Sequence, residues 1–156
     1  MPFTLAALAS LSLWSASLWS ASLAAVSNCG KNALFTITQL SQFPSDTISA
    51  GENLTLTLKY TTPLEITGGT AKTSISLNYL PFTPTSEPLC LNTPCPMVQG
   101  VIYDGSVSDV FPGGVSGTLI TTITWTDPVG LQLLCIKSTI LATGFKMIAS
   151  PENSTY

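Results

Sequence analysis

The chain has 156 residues, enough for one domain with a substantial core. Charged residues make up only 8%, the net charge is −3, arginine is absent and the five lysines are scattered. A surface that tracks phosphates needs clustered cations, so this composition argues against a nucleic-acid partner.

No charged side chain precedes Lys31. Residues 3–26 form an apolar run containing the repeat LWSAS at 13–17 and again at 18–22. The small residues Ser22 and Ala24 suit positions −3 and −1 of a signal-peptidase site, so residues 1–24 are read as a leader, with cleavage after Ser27 as the alternative. A retained membrane anchor is the rival reading, because the run is long enough to span a bilayer. The domain is then 25–145, followed by a flexible tail at 146–156.

Beyond Cys29 the dominant period is two. Leu54, Leu56, Leu58 and Tyr60 alternate with Thr55, Thr57 and Lys59. Ala71, Thr73, Ile75, Leu77 and Tyr79 oppose Lys72, Ser74, Ser76 and Asn78, and Leu119, Thr121, Ile123 and Trp125 oppose a row of threonines. Further strands are predicted at 34–40, 98–103 and 131–141. Turn chemistry separates them at 43–46, 50–52, 68–69, 111–114 and 127–130. No sustained 3.6-residue period occurs. Six or seven short strands with regular turns predict an all-β fold, an immunoglobulin-like antiparallel sandwich of about seven strands.

Residues 80–103 interrupt the alternation with Pro81, Pro84, Pro88, Pro94 and Pro96. Proline has no N–H for a ladder, so this stretch cannot be a central strand. Cys90 and Cys95 lie within it, in a turn expected to guard one end of the sandwich. Four cysteines allow three pairings, and an even count behind a leader suggests bridges. The local pair Cys90–Cys95 leaves Cys29–Cys135 to tie the first strand to the last. A four-cysteine metal site is the competing reading, disfavoured without histidine or paired CxxC spacing. Asn53-Leu54-Thr55 and Asn153-Ser154-Thr155 are N-glycosylation sequons.

Evidence for catalysis is thin. Histidine is absent, which removes the commonest general base, and no serine sits in a G-x-S-x-G elbow. Asp104 and Asp109 could in principle form a glycosidase couple, although nothing in their setting marks them. No catalytic residue, metal site or cofactor is assigned.

Cys29-Gly30, the stretch Gly51-Glu52-Asn53-Leu54-Thr55-Leu56-Thr57, Pro81-Phe82 ahead of Cys90, Cys95-Pro96, Trp125 and Cys135 together resemble the ML domain. This is a family of secreted lipid-recognition proteins that includes a lysosomal sterol carrier and fungal phosphatidylglycerol/phosphatidylinositol transfer proteins. The resemblance spans Cys29 to about Leu141. It implies a sandwich whose sheets part to admit a lipid, and it supports both bridges. It places Phe82 at the pocket, with Leu80 and Pro81 beside it. By pattern, Ile75, Leu77, Ile123, Trp125 and Ile136 are candidates for the inner faces, and Phe111-Pro112 for the pocket mouth; ordinary core packing is the alternative for each. Many members carry a further small disulfide after the first strand, whereas residues 41–51 here contain no cysteine, so that loop is expected to be more mobile. The function expected is a monomeric, exported carrier of a sterol or phospholipid that touches membranes transiently. It would act in the extracellular space or in an endolysosomal or vacuolar lumen. The alternative is a secreted recognition or adhesion module with a filled core.

Overall fold

The computed structural model describes residues 25–144, so the leader at 1–24, the sequon at Asn153 and the tail at 146–156 lie outside the described residues. Six strands of eight to twelve residues build the domain: β2 (Thr36–Phe43), β4 (Asn53–Thr61), β5 (Thr70–Leu77), β8 (Ile102–Val110), β9 (Gly117–Thr126) and β10 (Gln132–Thr143). Four short pieces complete it: β1 (Ala25–Asn28), β3 (Thr47–Ser49), β6 (Leu80–Pro81) and β7 (Thr85–Pro88). One sheet runs β1–β10–β9–β5–β6, with β3 joining β10 in parallel and β7 joining β5. The other runs β2–β4–β8. The sheets meet where β1 packs against β2, which leaves β5 with β6, and β8, at the opposite side.

Alternation dictates the faces. Along β4, Leu56, Leu58 and Tyr60 are buried while Asn53 and Lys59 are exposed. In β2 a simple alternation would put Ile37 and Leu40 on opposite faces. A bulge between Ile37 and Gln39 resets the phase, so Ile37 pairs with Tyr60 and Leu40 with Leu58, and both turn inward. Three predicted strands move, the first from 34–40 to Thr36–Phe43. The last strand is Gln132–Thr143, and the strand expected at 98–103 is β8, displaced toward the C-terminus. Its residues Asp104-Gly105-Ser106-Val107-Ser108-Asp109 have poor strand propensity, yet they pair with β4 through all nine positions. A Cβ at Gly105 would lie 2.7 Å from Leu58 Cδ2, so glycine is what lets β8 close on β4 there.

Two apolar clusters fill the interior. At one end Phe35 stacks on Tyr60 (centroids 5.2 Å apart), and the Trp125 ring meets Phe35 and Tyr60 edge-on at 6.3 and 5.5 Å. Leu58, Leu133, Leu134 and Ile136 surround them. At the other end Ile48, Phe111, Ile140 and Ala142 form a smaller cluster.

Both expected bridges form: Cys29–Cys135 and Cys90–Cys95, with Cα atoms 5.0 and 5.5 Å apart. The proline-rich connection does close one end of the sandwich. Leu89 and Met97 are buried beside Trp125, and Met97 exchanges backbone hydrogen bonds with Ile66. The 41–51 loop, expected from the sequence to be more mobile, is tied down. β3 pairs with β10, Ile48 is fully buried, and the Glu52 carboxylate accepts from the Ser49 N–H at 2.7 Å.

Candidate functional site

Residues directly opposite one another in an antiparallel pair share a face, so the register fixes what the interior presents. On the larger sheet the inner columns read Ala71–Trp125, then Thr73–Ile123–Ile136, then Ile75–Thr121–Ser138, then Leu77–Leu119–Ile140. β6 extends two of them. Leu80 lies opposite Leu77, and the Phe82 N–H donates to the Ile75 carbonyl at 2.9 Å. On the smaller sheet Tyr103, Gly105 and Val107 continue the inner rows of Tyr60, Leu58 and Leu56.

The structure therefore divides the predicted site residues. Ile75, Leu77, Leu80 and Phe82 come together as an apolar lip on the inner face of the β5/β6 edge. It is open to solvent: Ile75, Phe82 and Leu80 are 39%, 54% and 72% exposed. Pro81 pairs with Ser76 and so belongs to the outer face. Trp125 and Ile136 are buried in the aromatic cluster, with Ile123 packed against it, and Phe111 is buried in the opposite cluster beside Ile48. The cystine turn closes the Trp125 end, two inner columns away from Phe82, and does not seal the Phe82 edge itself.

Val107 was missed from sequence. It is 51% exposed although it belongs to the inner face of β8, the other edge at this side. Two exposed apolar edges, one from each sheet, thus lie on the same side of the sandwich. A second omission is polar: Ser138 is fully buried on the inner face, where its hydroxyl donates to Gln42 Oε1 at 2.7 Å. The signal was a serine at an apolar position of the alternation Ile136, Ser138, Ile140.

The lysines carried by the strands stay outside. Lys59, Lys72 and Lys137 pair with Asp104, Ser86 and Thr122, all on outer faces. Lys59 Nζ lies 3.2 Å from the Asp104 carboxylate, beside a shallow trough of about 300 Å³ lined also by Gln39, Thr57 and Ser106. Asp109 belongs to the inner face of β8 opposite Leu54, so the two aspartates lie on opposite faces and cannot form a glycosidase couple. Among the described residues no cluster of histidine, cysteine or acidic groups could hold a metal. Burial, helped by the neighbouring Tyr103, raises the Tyr60 phenol to about 12.

No protein-family model and no curated protein matches this sequence. Among solved structures, a Niemann-Pick type C2 protein from Japanese carpenter ant matches with a TM-score of 0.60 at 15% identity, over 76% of this chain and 99% of that one. The chain has the ML-domain fold. Chicken MD-1 complexed with lipid IVa also matches, with a TM-score of 0.47 at 16% identity, over 73% of this chain and 85% of that one. Within this ML fold the residues that carried the resemblance do separate jobs. Cys29 and Cys135 clamp the edge strand β1 to β10, Trp125 organises the aromatic end, and Phe82 belongs to the exposed lip of the β5/β6 edge.

Proposed function

We propose that the protein is an exported lipid carrier that takes a sterol, or the apolar part of a phospholipid, between its two sheets through the slot bordered by β5/β6 and β8. The observation that carries this reading is the exposure of Ile75, Leu80, Phe82 and Val107 on faces that point inward. In a closed sandwich those positions would be covered by the opposite sheet.

Burying one methylene is worth about 0.8 kcal/mol, so enclosing a chain of ~15 carbons gains on the order of 12 kcal/mol before ordering costs. A bilayer offers a similar gain, so extraction needs an apolar slot that can dock on the membrane. The lips at Leu80 and Phe82 suit transient contact of that kind. The strand lysines Lys59, Lys72 and Lys137 face outward and arginine is absent, which supports a sterol, or a lipid whose headgroup stays outside, over deep phosphate recognition. The bridges support an oxidising compartment, either extracellular or an endolysosomal or vacuolar lumen. We take the working form to be a monomer.

The test is lipid mass spectrometry on protein purified from its secreting cell, together with uptake of a fluorescent sterol competed by unlabelled lipid. A co-purifying lipid and saturable, competed uptake are expected. An empty preparation that takes up neither sterol nor phospholipid would leave the alternative, a recognition or adhesion module built on the same sandwich.

A further inference from the structure

Asn53 and Thr55 of the first sequon open β4, and Leu54 between them packs inward against the Ile48–Phe111 cluster. Asn53 and Thr55 therefore share the outer face of the three-stranded sheet, with Asn53 exposed. That face is otherwise polar: its rows read Gln39–Lys59–Asp104 and Ser41–Thr57–Ser106. Three apolar side chains break the pattern: Ile102, 63% exposed, at the far end opposite Thr61, and two that adjoin the sequon. Val110, 58% exposed, lies directly opposite Asn53, and Phe43, 76% exposed, lies opposite Thr55. Phe43 is thus on the diagonal from Asn53, a separation of about 7–8 Å that an aromatic ring or one sugar ring can bridge.

We infer that Asn53 carries an N-linked glycan whose first N-acetylglucosamine rests on the Phe43 ring and shields Val110 beside it. An aromatic face is electron-rich, and the C–H face of a pyranose complements it. The inference rests on export, since the modification occurs in the secretory pathway. There the Asn53 amide nitrogen bonds to C1 of a lipid-diphosphate-linked oligosaccharide. The sugar–phosphate bond breaks, the lipid diphosphate leaves and the amide loses one proton. The glycan would lie on the outer face, turned away from the slot, so it would leave lipid entry free.

The full chain, expressed with its own N-terminus in a glycosylating eukaryotic cell, tests this in four forms: wild type, Phe43→Ala, Asn53→Gln and the double variant. Glycopeptide mass spectrometry should find Asn53 modified. Phe43→Ala should lower Tm by about 2–5 °C when the glycan is present and leave it unchanged in the Asn53→Gln background. An equal effect of Phe43→Ala in both backgrounds overturns the seat. A bare Asn53 overturns the modification: with the Cys29–Cys135 bridge formed, the fault lies with this inference, and with it absent, with export. Sterol uptake by all four forms is expected to be equal. Its absence from all four would defeat the carrier reading while a coupled Phe43–Asn53 effect upheld this one.

Discussion

The two sides of this sandwich are built from similar alternating strands, yet one is sealed and the other stands open. On the sealed side β1 packs on β2, the bulge in β2 delivers both Ile37 and Leu40 inward, and a cystine pins Cys29 to Cys135. On the open side β5 is bordered only by the two-residue β6 and the four-residue β7, and β8 is a free edge. Exported scaffolds cover edges or charge them, because an exposed apolar edge invites aggregation. Here both edges present exposed apolar side chains on their inner faces, Ile75, Leu80 and Phe82 on one and Val107 on the other, with Asp109 the one charge on the inner face of β8. Leaving them uncovered makes physical sense if a hydrocarbon guest covers them.

Breaking the sealed side should have the largest effect. Replacing Cys29 and Cys135 with alanine frees a 106-residue separation, and the chain-entropy model puts that loss at about 4–5 kcal/mol. The Cys90–Cys95 pair, five residues apart, should be worth about 2 kcal/mol in the same model. Urea midpoints of the two double variants measure the gap, and equal losses would contradict the clamp. Trp125→Ala should follow closely at about 3–5 kcal/mol, since it removes a buried ring from contact with Phe35 and Tyr60.

The same aromatic end predicts a pH dependence. The Tyr60 phenol is raised from 10 to about 12 by burial, with the Tyr103 phenol adding to the shift. A raised acid favours the folded state fully below pH 10. As pH climbs from 10 toward 12 the unfolded chain loses that proton first, so stability falls by about 1.4 kcal/mol per unit, or about 2–3 kcal/mol in total. Urea unfolding at pH 9, 10 and 11 measures it, and Tyr60→Phe should remove that part of the slope. An unchanged slope in Tyr60→Phe would mean the phenol is not shielded.

The sequence made the fold and the bridges legible because they rest on strong local signals: period-two runs, proline and glycine turns, and four well-spaced cysteines. Most of β8, from Asp104 to Val110, was hidden because its strand state is imposed by its partner. Gly105 reads as a breaker, yet the Leu58 side chain occupies the place a Cβ would need. With the strand placed at 98–103 instead of 102–110, Val107 and the second exposed edge went unseen. Trp125 and Phe111 illustrate the complementary difficulty. An inward-facing apolar residue at a strand position can close an end or line an opening, and only cross-sheet packing tells which.

Phe82 tests that distinction with the smallest expected effect on stability. Its ring is 54% exposed, and its backbone N–H, which holds the edge to Ile75, survives substitution. Phe82→Asp should therefore change unfolding free energy by no more than about 0.5 kcal/mol, the range of surface positions. A carboxylate at the lip of an apolar slot must nevertheless be desolvated whenever a hydrocarbon covers it, so sterol uptake should be abolished. Val107→Asp, on the facing edge, should do the same. Loss of uptake with stability intact in both variants would assign entry to this side. Undiminished uptake in both would move the entrance elsewhere and leave the two bare edges without an explanation.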